Sequence, residues 1–230
     1  MSRATLMLLA DGRFPAGGHA HSSGTEAACA VHAVHDIASL RHFLLGRLHT
    51  SGRVDAAFAA VAAAEQPPNW QSLDAELDSR VVSPRLRGVS RTLGRQLLRA
   101  GDRVWPSAIL RELRAASPFD GPHQAIALGA VARAAGLPPI DAAACTLHHL
   151  ASTVTTAALR LLGLDPFDIY ALLAETAPLI DALAAEATVV ATEAALVSTE
   201  PGSLLPALSG PLTEILAEDH ATWEVRLFAS

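Results

Sequence analysis

The chain has 230 residues, half of them hydrophobic, and a formal net charge of −6. All 17 basic residues are arginine, which excludes chemistry that needs an ε-amine, such as a cofactor Schiff base or the lysine of a phosphate loop. Two isolated cysteines, Cys29 and Cys145, exclude a disulfide framework.

Alanine and leucine dominate while β-branched and aromatic runs are scarce, so the expected class is all-α. Apolar spacing and the breakers between segments predict helices in chain order. The first covers 5–10, where an apolar run meets Asp11 and Arg13 without a secretory cleavage pattern. Helices over 22–34 and, behind Asp36 as cap, 37–49 follow. The pattern over 54–65 stops at two prolines, and 69–77 is short. Ser83 caps 84–100, with Pro84 in the favoured first turn. Segments 107–115, 123–135 and 141–162 come next, the last closed by Gly163. Segments 167–175, 179–197 and, after a Pro/Gly-rich loop, 212–227 complete the series. No apolar run approaches the roughly 18 residues of a membrane span. The expectation is one cytoplasmic all-α domain, a bundle of about ten helices over residues 1–230.

Charge is unevenly spread. Residues 1–133 hold 15 Arg against 11 acids, and residues 134–230 hold 2 Arg against 12 acids. That split suits contact with partners of opposite sign, contact within an oligomer, or simply two unequally solvated halves.

The stretch ADGRFPAGGHAHSSGTEAA, residues 10–28, holds Gly12, Gly17, Gly18 and Gly24. Their spacing fits neither a phosphate loop nor a dinucleotide fingerprint, and no strand precedes them. Gly17 and Gly18 instead permit backbone angles or a close approach that a side chain forbids. Ser22 or Ser23 can cap the next helix, with Glu26 as capping-box partner to Ser23. His19 and His21 lie in the loop. Cys29, His32 and His35 follow but fan around a helix, so they do not converge on one ion. A transient or dimer-shared nickel contact through His19 and His21 stays open.

Arg87, Arg91, Arg95 and Arg99 repeat every fourth residue beside an apolar seam of Leu86, Val89, Leu93 and Leu97. Guanidinium groups grip carboxylates in a bidentate way, so the stripe points to an acidic protein or an acidic helix of the same chain. An acidic chain with few aromatics argues against nucleic acid. Ser22, His123, His148 and Asp141 assemble into a catalytic set only on paper, since no local pattern marks a nucleophile.

The 10–28 stretch resembles the N-terminal signature of the urease accessory protein UreF family. Pro15, Gly17, Ser22, Gly24 and Glu26 fall on matching positions; Asp11 replaces a serine, and His19 and His21 replace a phenylalanine and a tyrosine. Further likeness runs through SRTLGRQLL (90–98), HQAIALGAVARAAGL (123–137) and ALRLLGLDPFDIYALL (158–173), where Gly163, Leu164 and Asp165 depart from the family pattern. In the C-terminal EDHATWEVRLFAS, His220, Arg226, Leu227, Phe228 and Ser230 match, while Ala221, Glu224 and Val225 do not. The resemblance implies an all-α, commonly dimeric protein that is not an enzyme and carries no cofactor of its own. It would bridge UreD (also called UreH) and the GTPase UreG during nickel insertion into apo-urease, without contacting nucleic acid or membrane. On that carry-over Pro15, Gly17, Gly18, Ser22, Gly24, Glu26, Arg91, Arg95, His220, Arg226, Leu227, Phe228 and Ser230 are partner-binding. A freestanding histidine-rich nickel carrier is the competing reading.

Overall fold

The computed structural model describes residues 2–15, 17–66, 68–197 and 201–228, and every regular element among them is helical. In chain order the helices are α1 (Arg3–Ala10), α2 (Thr25–Ala30), α3 (Ile37–Arg47), α4 (Arg53–Ala62), α5 (Trp70–Arg80) and α6 (Pro84–Val104). They continue as α7 (Ala108–Ala116), α8 (Gln124–Ala134), α9 (Pro139–Leu162), α10 (Pro166–Val197) and α11 (Pro211–Ala221). A 3₁₀ turn, Gly18–Ala20, precedes α2, and a π-helical turn, Leu48–Gly52, joins α3 to α4.

The starts follow local chemistry. Asp36 Oδ1 accepts the Ser39 amide at 2.8 Å while Ser39 Oγ accepts the Asp36 amide, a reciprocal capping box. Ser83 caps α6 through the Leu86 amide at 3.1 Å, with Pro84 behind it. Gly163 closes α9 in the left-handed region.

The core centres on α4 and α8, whose residues Ala56–Ala62 and Ala125–Ala132 are buried throughout. Small side chains make this possible. A Cβ on Gly129 would stand 2.2 Å from the Ala59 carbonyl oxygen and 2.7 Å from Ala62 Cβ, so α8 lies directly against α4. The pair is enclosed by α6 on one side and by α9 and α10 on the other.

Three expected boundaries are corrected. The helix over 22–34 shrinks to α2, because His32 adopts φ 60° and turns the chain, with the Ala33 and Val34 amides both donating to Ala28 O. The two helices over 167–175 and 179–197 are one, α10, which runs through Pro178. Proline there frees the Ala174 carbonyl, but both residues are exposed and water can serve it. Meanwhile Ile169, Leu172, Thr176, Ile180, Leu183 and Ala184 stay buried along one continuous face. Finally, the C-terminal helix ends at Ala221, and residues 222–228 leave it as an irregular tail.

Part of the charge split is neutralised within the chain. Arg41 pairs with Glu175 and Arg53 with Glu186, both on α10. On α11, Glu214 accepts the Ser83 amide at 2.8 Å and Glu218 accepts the Arg85 amide at 3.0 Å and the Ser83 hydroxyl. Acids at the start of α6 suit the positive end of its dipole. Among the described residues no helix is long and apolar enough to cross a membrane.

Candidate partner-binding site

The glycine-shaped loop is pressed between α6 and α11. Gly17 sits at φ 77°, where a Cβ would come 1.8 Å from Gln96 Oε1, and Gly24 at φ 84°, where it would meet Thr213 Cγ2 at 2.9 Å. Both positions need glycine for their backbone angle, and Gly24 also for space, since the exposed end of Gln96 can swing away from Gly17 while the Thr213 methyl is packed in place. Gly24, not Ser22 or Ser23, is the N-cap of α2, and buried Ser22, two residues before it, accepts the Glu26 amide at 3.3 Å.

That frees the Glu26 carboxylate from the capping role expected of it. Its Oε1 accepts the Leu227 amide at 2.7 Å; its Oε2 accepts the Phe228 amide at 3.0 Å and His220 Nε2 at 2.9 Å. A buried carboxylate without partners would be costly, and here three donors meet it. The tail is held further by Phe228, which is buried with the Arg160 guanidinium 4.8 Å from its ring centroid. Trp223 sets its ring edge-on to His220 at 4.7 Å. The result is a backbone clamp that leaves Val225, Arg226 and Leu227 exposed.

A second buried network supports the neighbouring turn. Arg91 Nη1 donates to Asp74 Oδ2 and to Gly121 O, each at 2.9 Å, and Nη2 to Asp78 Oδ1 at 2.6 Å. The His123 amide donates to Asp74 Oδ1, and its ring lies 3.1 Å from Asp78 Oδ1 and 3.0 Å from Ser90 Oγ. Burial pushes the His123 pKa down, so the neutral ring donates through Nε2 and accepts at Nδ1 from the Ser90 hydroxyl. Burial works against the Asp78 carboxylate too, but hydrogen bonds from Arg91 and His123 hold its pKa below the ordinary value.

The arginine stripe is thus split. Arg91 is buried and spent on internal acids, and Arg87 turns back to the carbonyls of Val81 and Val82. Arg95 and Arg99 are the exposed members; Arg95 also ties down the Asp120 carbonyl at 2.8 Å. As a docking cation Arg91 is not available, and its geometry makes it the support for the Arg95 turn.

The UreF family model matches residues 34–177. The chain belongs to the UreF family. A urease accessory protein UreF from Mycolicibacterium vanbaalenii is 41% identical over 231 residues, covering 100% of this chain and 99% of that one. One from a Mycobacterium species, strain JLS, is 39% identical over 98% of each chain, and one from Mycobacterium tuberculosis is 35% identical over 100% of this chain and 99% of its own.

The remaining UreF-motif residues spread over one surface region and its underside. Pro15 is exposed, whereas Gly18 and His21 line a cavity beneath the loop. The side chain of His19 and the whole of Ser230 lie outside the described residues. Among those described, no three His, Cys, Asp or Glu side chains converge as a metal site. Ser22 and His123 belong to separate networks. Cys145 and His149 touch at 3.7 Å, but burial pushes the thiol up to about 12 and the imidazole down to about 4, leaving a neutral, unreactive pair near pH 7.

Sequence reasoning missed the polar wall of that cavity. Arg47 ends α3 and Ser51 lies on the π-helical turn after it, and a widened turn leaves no mark in hydrophobic periodicity. Arg80 was missed as well; it grips the carbonyls of Gly202, Leu205 and Pro206 and lies 5.2 Å from the Phe58 ring centroid. An arginine closing α5 carries no distinguishing spacing.

Proposed function

We propose that this chain acts in urease maturation as a non-catalytic, cytoplasmic scaffold that holds UreD (UreH) and the GTPase UreG together while nickel enters apo-urease. UreF membership supports the role in urease maturation. The observation that carries the finer reading is the meeting of the chain's two ends at Glu26. A segment pinned by its own amides, yet presenting Val225 and Leu227 to solvent, offers apolar surface without a further ordering cost.

In this reading Gly17, Gly18, Ser22, Gly24 and Glu26 shape and hold the platform, and His220 and Phe228 hold the tail on it. Pro15, Arg226, Leu227 and Ser230 meet UreD. Arg95 meets an acidic partner surface, with Arg91 fixing the turn below it. His19 and His21 touch nickel in transit, and the scaffold works as a homodimer.

Complementation tests the reading. In a urease-producing host whose own UreF is deleted, the full chain restores urease activity and bound nickel, and a chain lacking residues 226–230 does not. Equal restoration by the truncated chain would contradict the placement of UreD on the tail. No restoration by the folded full chain would contradict the scaffold.

A further inference from the structure

Beneath the loop lies a cavity of about 160 Å³ between the Gly18–Ser23 stretch, the π-helical turn, α9 and the start of α11. Space of that size holds several water-sized groups. Its wall contains an unusual pair four residues apart, Arg47 at the end of α3 and Ser51 on the π turn that follows. Arg47 Nε and Ser51 Oγ are both buried, and neither has a hydrogen-bond partner among the described residues. Orphaned buried donors are rare, and each calls for a physical explanation. π-helical turns, for their part, recur at functional sites.

The other polar wall groups are mostly committed. Ser90 Oγ accepts the Gln124 amide, Thr146 donates to Ala142 O, and Arg80 is bound to Glu76 and three carbonyls. His149 Nε2 lies 3.1 Å from Leu9 O. Glu214 accepts from Ser83, so it too is engaged. Arg47 is different: it forms no ion pair among the described residues, and Asp55 and Glu214 act on it only at longer range.

We propose that this cavity binds a small monocarboxylate, whose oxygens take the Arg47 Nε–H and the Ser51 Oγ–H. The Arg47 guanidinium, within electrostatic reach of Asp55 and Glu214 but hydrogen-bonded to neither, supplies directional donors suited to a carboxylate. Asp55 and Glu214 on the same wall oppose a second negative charge, which disfavours phosphate or sulfate. The guanidinium in turn disfavours a divalent cation, for which the described residues supply no three converging ligands.

The test uses the purified full chain, with sodium formate titrated against sodium chloride at matched ionic strength near pH 7. The read-outs are the thermal midpoint and the line width of ¹³C-labelled formate. Formate is expected to raise the midpoint saturably and to broaden, with chloride doing neither. Arg47→Gln is expected to weaken apparent affinity about tenfold or more, and Ser51→Ala by several-fold, as for loss of a hydrogen bond to a charged group. Asp55→Asn is expected to tighten it. An equal response to formate and chloride, meaning a cavity that holds water alone, would overturn the proposal. So would unchanged affinity in Arg47→Gln. If circular dichroism shows that variant unfolded, unchanged affinity in the milder Ser51→Ala would overturn it instead.

Discussion

Glu26 and His220 stand 194 positions apart and meet in a buried contact, Oε2 to Nε2 at 2.9 Å. The same carboxylate receives the amides of Leu227 and Phe228. The chain's amino-terminal motif and its carboxyl-terminal motif are therefore two halves of one structural unit.

Replacing Glu26 with Gln keeps the shape but removes the charge that two amides and an imidazole share. The expected cost is about 1–3 kcal/mol in urea unfolding, in line with charged hydrogen bonds. Hydrogen exchange at the Leu227 and Phe228 amides should accelerate far more than in α4 or α8. Equal protection in both proteins would contradict the clamp.

Arg91 should tolerate no substitute. Its fork reaches Asp74, Asp78 and the Gly121 carbonyl together, which one ammonium group cannot reproduce. Arg91→Lys is expected to destabilise clearly, and Arg91→Ala by about 3–5 kcal/mol, because two acids lose their cation. Arg95→Ala, at an exposed position, should cost below about 1 kcal/mol. Denaturant midpoints for the three variants check this order.

Two glycines should respond to alanine with opposite sign. At Gly129 the added Cβ would meet Ala59 O at 2.2 Å, and helix separation would cost about 1–3 kcal/mol. At Gly88, an exposed position of α6, nothing lies within 4 Å, so helix propensity alone should stabilise by up to about 1 kcal/mol. Thermal midpoints moving the same way would contradict the packing described.

Two desolvated groups, His149 and Asp55, should give stability opposing pH slopes. Burial, aided by neighbouring His148, lowers His149 from 6.5 to about 4. Its contribution is complete above pH 6.5 and is lost as pH falls towards 4, because the unfolded chain takes up the proton first. Burial raises Asp55 from 3.8 to about 6 although Arg47 opposes it. Its contribution is complete below about pH 4 and is lost as pH rises through 6. Asp55→Asn should therefore flatten the pH 4–7 profile on its alkaline side and stabilise above pH 6 by about 1–3 kcal/mol. Urea unfolding at pH 4.5, 6 and 7.5 provides the measurement.

What could be read from the sequence divides along local and non-local lines. The Asp36 and Ser83 caps depend on side chains within a turn and the Gly163 stop on a left-handed backbone, and all three stand where that local chemistry places them. That 167–175 and 179–197 form one helix was not legible, because α10 runs through Pro178 and is held by packing against α9 and α4, which no local pattern contains. Arg91 and Arg95 share one spacing yet separate into a buried and an exposed residue, since Asp74, Asp78 and Gly121 come from elsewhere in the chain. The loop glycines were legible as shape, but their contacts with Gln96 and Thr213 were not.

The most direct test of the scaffold is co-expression with UreD and UreG followed by size exclusion, with and without residues 226–230. The account predicts that the full chain co-elutes with UreD and that the truncated chain, still folded by circular dichroism, elutes without it. A full chain that elutes alone under every nucleotide and nickel condition would contradict the account.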